Sequence, residues 1–195
     1  MSVGVKFCKN CGHSFYGDLA VYCKRCAHLP IPLEKPMSLA LIEKISHFKL
    51  KIELVPSPLW YKSLASVAVP ALWDNTRRKA YKLARYHCQV CGAGGTMICH
   101  ELWQYDDSTC VAHLEGLQAI CVMCNHVHHM GLAGLKSIGG QLDMNYVYQH
   151  FMAVNRCSWD DFCFASNYAQ ELYEHRSVLK WTQDFGRYSS LIVPI

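Results

Sequence analysis

The chain lacks any apolar run that could cross a membrane, since none approaches the roughly 18 residues that a membrane span requires. Its first residues also lack the apolar stretch of a secretory signal peptide, because Lys6, Cys8 and Lys9 are closely spaced there. Charged residues are few, at 17%, but hydrophobic residues make up 51% of the 195 residues, which excludes disorder as a description of the whole. We therefore expect a folded cytoplasmic protein without a membrane segment.

Positive charge is missing from a long central stretch. Residues 86–135 contain no Lys or Arg, but they are rich in His and contain four acidic residues, Glu101, Asp106, Asp107 and Glu115. Just before this stretch, five positive charges fall within nine residues, at Arg77, Arg78, Lys79, Lys82 and Arg85. A basic segment beside an acidic, histidine-rich one suits a protein that holds a polyanion next to a divalent cation.

Cysteine, in contrast, is abundant: there are twelve residues, and eight of them form four Cys-x-x-Cys pairs. Two such pairs complete a tetrahedral site of four sulfurs around one Zn²⁺. Disulfides are the weaker interpretation because the sequence shows no export signal. The spacing predicts two structural zinc sites, with Cys8, Cys11, Cys23 and Cys26 in the first and Cys88, Cys91, Cys121 and Cys124 in the second. Cys110, Cys157 and Cys163 are interpreted as small buried apolar residues.

The element pattern predicts an α+β fold in three segments. Residues 1–36 form a zinc ribbon or finger with a proline-rich linker, and the metal supplies much of its folding free energy because so short a segment builds no large core. Residues 37–140 contain a basic helix, capped by Asp74 or Asn75, and then two strands and a helix that begins at Asn125. Residues 141–195 form a helical extension, in which Asp143 and Ser158 are the predicted caps and Asp161 completes a capping box with Ser158.

The candidate chemistry lies around the second cysteine quartet, in CHELWQYDD and NHVHH. His100 lies on the first predicted strand, and the predicted helix places Asn125 and His129 four residues apart on one face. Histidine is suited to deprotonate a water for in-line attack on phosphorus, while Asn125 and His129 can bind a Mg²⁺ or Mn²⁺ that neutralises the developing charge. This arrangement predicts a metal-dependent phosphodiesterase. His126 and His128 fall on other helix faces and are interpreted as surface or packing histidines.

Several segments resemble the HNH, or ββα-metal, endonuclease superfamily, in the subgroup where two Cys-x-x-Cys pairs bind a structural zinc. They read PSPLW, ALWDNTRRKAY, CQVCG, CHELWQYDD, GLQAICVMCNHVHHMG and HFMAVNRCSWDDF, and they span roughly residues 54–185. The resemblance implies a zinc-stapled ββα-metal (treble-clef) core flanked by helices, a divalent catalytic metal and cleavage of DNA. The N-terminal finger lies outside it.

The chain departs from the superfamily pattern at three positions. Gly116 stands near the place of the central asparagine, and Asn125 replaces the histidine that usually follows the second cysteine pair. Phage enzymes that resolve branched DNA also place Asn at that second position and use it as a metal ligand. Cys99 stands where an Asp or His ligand usually precedes the catalytic histidine. Glu101 can substitute for it, but adjacent strand residues face opposite sides, so Glu101 and His100 reach one ion only across a bulge.

Two functional interpretations stay open after the sequence. In the first, the chain is an endonuclease whose basic helix and zinc finger hold DNA, with RNA as the other candidate substrate. In the second, the same zinc-stapled scaffold no longer cleaves and serves as a DNA-binding or assembly module. The basic charges surround their helix and also fit a solvated face, although Tyr81 and Tyr86 among them favour nucleic-acid contact.

The C-terminal helices carry more aromatic surface than a small nuclease core needs. The residues concerned are Tyr146, Phe151, Trp159, Phe162 and Phe164. Exposed apolar surface of this kind indicates a protein partner or a second copy of the chain.

Overall fold

The computed structural model describes residues 5–7, 14–16 and 39–192. Two short strands near the N-terminus, β1 (Val5–Phe7) and β2 (Ser14–Tyr16), pair antiparallel with Val5 opposite Tyr16. The first predicted metal quartet, formed by Cys8, Cys11, Cys23 and Cys26, lies outside the described residues. Its zinc ribbon therefore stays a prediction.

The chain separates into two compact units. Among the described residues, the helical unit contains those up to Leu54 together with His126–Glu171, and the sheet unit contains Val55–Asn125 together with those from Leu172 to residue 192. Helices and a small sheet both occur, so the predicted α+β class is confirmed. Among the helices of the described part of the chain, none is both long and apolar enough to span a membrane.

The sheet unit is organised by a long hairpin. Strand β3 (Met97–Asp106) pairs antiparallel with β4 (Val111–Cys121), and β5 (Thr182–Asp184) adds to β4 in parallel. At the hairpin turn the carboxylate of Asp106 accepts hydrogen bonds from the backbone N–H groups of Ser108 and Thr109, at 2.9 and 3.3 Å. Both predicted strands are thus present, although β4 is longer than the short strand predicted over residues 117–122, and β5 was not predicted.

The pairing of β3 with β4 contains one irregularity. Leu102 lies opposite Gly116, but its neighbour Trp103 lies opposite Leu114, which leaves Glu115 as an extra residue in β4. Such a bulge changes the facing of side chains only on its far side. The alternation of side chains therefore stays regular from the start of β3 through Leu102, the part that carries the candidate site.

The core of the sheet unit contains two apolar clusters that share Trp103. One is built on Leu59, Ala112 and Trp181, and the other on Leu64, Ala68 and Leu114. The second includes Leu64 from the short helix α2 (Leu64–Val67). Both clusters hold segments from either end of the unit against the hairpin, which fixes the strands that carry the candidate site.

Helix α3 (Pro70–Leu83) carries four of the five residues of the basic cluster, and it begins earlier than predicted and ends before Arg85. Its first residue is Pro70, which is favoured there because the first helical N–H needs no partner within the helix. Asp74, predicted as a cap, lies inside the helix and forms ion pairs with Arg77 and Arg78. No residue of α3 is fully buried, and it packs on the second apolar cluster through Trp73.

The helical unit consists of α1 (Leu39–Ser46), α5 (Met130–Ile138), α6 (Met144–Asn155) and the first part of α7 (Trp159–Ser177). Its core contains Phe151 and Phe162, which are 0% and 1% exposed, with their rings 5.3 Å apart. Trp159 packs on Phe162 at 5.0 Å. Most of the C-terminal aromatic surface is therefore internal core of this unit, and Tyr146, at 64%, is its exposed member.

Helix α7 begins with the predicted capping box. The backbone N–H of Asp161 donates to the hydroxyl of Ser158 at 3.2 Å, and the backbone N–H of Ser158 donates to the carboxylate of Asp161 at 3.0 Å. Lys44 of α1 also donates to that carboxylate, at 2.6 Å. The carboxylate of Asp161 thus caps the start of α7 and links α7 to α1.

Candidate metal centre

Four sulfurs of the sheet unit converge, as predicted for the second quartet. The Sγ atoms of Cys88, Cys91, Cys121 and Cys124 all lie within 4.8 Å of one another. The separation is 3.7 Å between Cys88 and Cys124 and 3.6 Å between Cys91 and Cys121. Four sulfurs bound at about 2.3 Å to one tetrahedral ion lie about 3.8 Å from one another. The quartet therefore fits a single metal ion.

The first cysteine pair forms a tight turn directly before β3. The backbone N–H of Gly92 donates to the carbonyl of Cys88 at 2.8 Å, and Gly92 has a φ of +81°, a conformation that glycine adopts without strain. Gln89 fixes this turn to β4, because its backbone N–H donates to the carbonyl of Ala119 and its side chain accepts the N–H of Ala119, at 2.9 and 2.8 Å. The turn is thereby held against the strand that ends at Cys121.

The second cysteine pair joins strand to helix. Cys121 is the last residue of β4, and Cys124 lies in the first turn of α4 (Val122–His128). The backbone N–H of Cys124 donates to the sulfur of Cys121 at 3.4 Å, and in the first pair the N–H of Cys91 donates to the sulfur of Cys88 at 3.5 Å. An ion in the quartet would therefore fix the two ends of the hairpin and the start of a helix at one point.

The pKa values of the thiols indicate that the quartet needs a cation to ionise completely. Burial raises the pKa of Cys91 to about 11, and burial together with the negative charges of its sulfur neighbours raises the pKa of Cys124. At Cys88 burial is outweighed by backbone hydrogen bonds, led by the one from Cys91, which lower the pKa to about 7. Because the thiolate is the metal ligand, ion binding and loss of these protons are coupled.

His100, the predicted general base, lies on β3 opposite Gln118 and is only 4% exposed. It is therefore an interior residue of the strand rather than a surface one. Met97, three residues earlier and therefore on the opposite face of the strand, is also buried at 9%, so this end of β3 is covered on both faces.

Glu101, the neighbouring candidate ligand, is engaged elsewhere. Its two carboxylate oxygens accept the backbone N–H groups of Leu64 and Ala65, at 2.9 and 3.0 Å, and Oε2 also accepts the indole N–H of Trp103 at 3.1 Å. The carboxylate thus caps the N-terminus of α2. The predicted alternation accounts for this, because the bulge in the hairpin lies beyond Leu102 and does not bring Glu101 and His100 to one side. Sequence reasoning did not find the capping role.

Cys99 is poorly suited to bind a hard cation. Burial raises the pKa of its thiol to about 12, and the negative charge of Glu101 acts in the same direction. Sulfur is also a soft ligand, whereas Mg²⁺ and Mn²⁺ prefer oxygen ligands. At the other departed position, Gly116 faces Leu102 across the hairpin and offers no side chain.

The helix predicted from Asn125 to residue 135 is two helices, which corrects the prediction. Helix α4 begins at Val122, inside the second cysteine pair, so that Asn125 lies within the helix instead of capping it. Its last residue is His128, and His129 is the cap residue of α5, with φ −102° and ψ 53°. Asn125 and His129 therefore do not share one helical face, which was the geometric reason for pairing them. Both are half-buried.

His126 and His128 are buried, at 8% and 3%, as the packing interpretation predicts. Burial, followed by the positive charge of Lys136, lowers the pKa of His126 and favours its neutral form near pH 7. His128 lies beside a carboxylate that the sequence did not indicate: Nδ1 of His128 is 3.5 Å from Oε2 of Glu53, within the helical unit. The repeated histidines of NHVHH were a signal for this contact, but Glu53 lies outside every motif.

Two residues of the basic cluster form ion pairs within α3, and the other three are exposed without such a pair in the helix. Arg77 and Arg78 pair with Asp74, the acidic residue of this helix. Lys79, Lys82 and Arg85 are exposed. Arg85 and the exposed Tyr86 follow the helix with left-handed φ values of 52° and 56°, and the chain then continues to Cys88. The sheet unit thus carries an exposed positive surface on the segment that leads into the quartet.

No protein-family model, no curated protein and no solved structure matches this chain. A function for it must therefore be argued from the quartet and from the side chains around it.

Proposed function

We propose that this chain is a metal-dependent endonuclease that hydrolyses DNA phosphodiester bonds on a ββα-metal (treble-clef) core. The observation that carries the proposal is the convergence of Cys88, Cys91, Cys121 and Cys124 where the β3–β4 hairpin meets α4. Four thiolates at tetrahedral spacing suit a structural Zn²⁺. The order of cysteine pair, strand, strand and helix is that of the superfamily which the sequence resembles.

In this proposal His100 is the general base that activates a water for attack on phosphorus. A Mg²⁺ or Mn²⁺ bound there would neutralise the charge on the leaving oxygen, and Asn125, in the same unit as His100, is its proposed ligand. Glu101 and Cys99 have no part in it, since the carboxylate caps α2 and sulfur is a soft ligand that suits neither Mg²⁺ nor Mn²⁺. General-base catalysis of this kind is typically worth about 10²–10⁴-fold in rate.

The proposed nucleic-acid surface is the exposed part of the basic cluster, Lys79, Lys82 and Arg85. Their charges are not neutralised by the acidic residue of α3, which is engaged by Arg77 and Arg78. Contacts from such side chains to phosphates provide affinity without sequence preference. DNA is proposed as the polyanion because the superfamily resemblance implies it. RNA is the alternative polyanion, and binding should be measured with both.

The test is nicking of supercoiled and branched DNA with Mg²⁺ or Mn²⁺ by the wild type, by His100→Ala and by His113→Ala. His113 is a matched control because it lies on β4 in the same sheet, where its ring pairs with Asp184 at 3.1 Å. We expect His100→Ala to lose about 10²–10⁴-fold in rate and His113→Ala to keep the wild-type rate. Equal nicking by wild type and His100→Ala would overturn the proposal.

The second candidate is a zinc-stapled DNA-binding or assembly module that does not cleave. The burial of His100, at 4% exposure, favours it, because a base must reach a water beside the scissile phosphate. This candidate predicts that the logarithm of the binding constant falls linearly with the logarithm of the salt concentration. It further predicts that no nicked product appears with either metal.

A further inference from the structure

We propose that Glu53 and His128 form a second divalent-cation site, in the helical unit, with Oε2 of Glu53 and Nδ1 of His128 as its protein ligands. The suggestion that the bound ion contacts a phosphate of a nucleic acid rests on the proposed function.

The backbone holds the two side chains side by side. The backbone N–H of Glu53 donates to the carbonyl of His128 at 3.0 Å, which fixes the segment before Leu54 to the last residue of α4. A carbonyl at a helix C-terminus has no partner within its helix, so this bond also satisfies the end of α4. The main chain of Glu53 is therefore fixed beside the last residue of α4, which brings its side chain within reach of the ring.

The separation of the two ligand atoms fits a shared ion better than a direct hydrogen bond. Oε2 of Glu53 and Nδ1 of His128 are 3.5 Å apart. A hydrogen bond from nitrogen to oxygen usually measures about 2.7–3.2 Å. An oxygen and a nitrogen that are both about 2.1 Å from one tetrahedral ion lie about 3.4 Å apart.

One residue of the pair is buried and the other is partly exposed, as expected for a site whose ion exchanges with solvent. The side chain of His128 is 4% exposed, whereas that of Glu53 is 37% exposed. The interior ring is held in one place, and the carboxylate provides a route for an ion from solvent. Two protein ligands also leave coordination positions open, which is typical of catalytic rather than purely structural sites.

The ligand types indicate which ions the site would take. One imidazole nitrogen and one carboxylate oxygen suit Zn²⁺ or Mn²⁺, whereas Ca²⁺ and Mg²⁺ prefer oxygen ligands alone. Lys49 and Lys51, exposed on the same segment as Glu53, would attract an anion to the open positions. A phosphate oxygen of a nucleic acid is the ligand that this charge pattern and the proposed function favour.

The experiment uses the full chain loaded with zinc and titrates it with Mn²⁺ while the ring signals of its histidines are followed by NMR. We expect one equivalent of Mn²⁺ to broaden the His128 signals, which are assigned by their absence in His128→Gln. We expect Glu53→Gln to weaken this broadening by at least about tenfold in Mn²⁺ concentration. Glu43→Gln is the matched control, because Glu43 is an exposed carboxylate on α1 of the same unit.

Absence of broadening at His128 in the wild type would overturn the site, as would equal broadening in the wild type and in Glu53→Gln. Glu53→Gln keeps the shape of a partly exposed side chain, so its fold is checked directly by its amide spectrum. The readout involves no cleavage. The endonuclease proposal fails on nicking, whereas the ion site fails on the His128 signals and their dependence on Glu53, so the two failures are distinguishable.

Discussion

The carboxylate of Glu101 accepts the backbone N–H of Leu64 at 2.9 Å, and the same carboxylate accepts the N–H of Ala65 at 3.0 Å. A strand residue thus caps a short helix that lies earlier in the chain. The first N–H groups of a helix have no partners within it, and a negative charge at that end is favourable. The presence of Glu101 next to the candidate base His100 is therefore explained by its role as a cap of α2.

Glu101→Gln should therefore lower stability without changing metal content. We expect the free energy of unfolding to fall by about 1.5–3 kcal/mol, since hydrogen bonds to a charged acceptor are lost. Urea denaturation and zinc analysis of the purified variant measure both quantities. Glu115→Gln, at an exposed position on β4, is the control and should have little effect. Unchanged stability with abolished nicking would instead assign Glu101 to the catalytic metal.

Asp161→Asn should destabilise the helical unit in a pH-dependent way. Burial alone raises the pKa of Asp161, but the hydrogen bonds from Lys44 and Ser158 outweigh it and hold the pKa below its usual value. The stability that the carboxylate contributes is therefore fully present above its unfolded pKa of about 3.9 and is lost as the pH falls through the lower folded value. Loss of the capping box and of the ion pair should cost about 1–2 kcal/mol at pH 7.

Urea midpoints of wild type and Asp161→Asn, measured from pH 7 down to pH 3, check this prediction. The two midpoints should differ at pH 7 and approach each other below about pH 4. Asp160→Asn serves as the control, since Asp160 is the exposed neighbour in the same helical turn. A difference that grows as the pH falls would have the wrong sign for the proposed contact.

Substitutions in α3 should separate exposed charges from paired ones. We expect Lys79→Ala and Lys82→Ala each to reduce the slope of log affinity against log salt by about one, because each removes one phosphate contact. Arg77→Ala should have a smaller effect, because Arg77 is already held by Asp74. Fluorescence anisotropy with DNA and RNA duplexes measures the slopes, and Lys180→Ala is an exposed control outside the helix. Equal slopes in all variants would indicate that α3 is only a solvated face.

Features that depend on neighbouring residues could be predicted from the sequence. The second quartet follows from its Cys-x-x-Cys spacing, and the capping box follows from Ser158 and Asp161 lying three residues apart. The turn at Asp106 is local in the same way, because the side chain binds N–H groups two and three residues further on. In each case the interacting groups are fixed by the chain itself.

Features that depend on distant contacts could not be predicted. Strand β5 reads Thr-Gln-Asp, which has no strand pattern, and it exists because it pairs with β4 from far along the chain. Helix α4 begins inside the second cysteine pair, with Cys121 ending β4 and Cys124 in the first helical turn, so the cap preference of Asn125 did not decide its start. The contact of Glu53 with His128 likewise joins segments that no local pattern connects.

The measurement that tests the account most directly is the metal content of a chain in which the N-terminal quartet has been removed. Cys8→Ser with Cys23→Ser leaves the quartet of the sheet unit as the thiol site, and we predict that this protein keeps one tightly bound zinc ion after dialysis. Adding Cys91→Ser and Cys121→Ser should release that ion and unfold the sheet unit, whereas adding Cys110→Ser, in the hairpin turn, should not. A Cys8→Ser/Cys23→Ser protein that retains no ion, and in which the four thiols of the sheet-unit quartet react freely, would contradict the convergence of those four sulfurs on a metal.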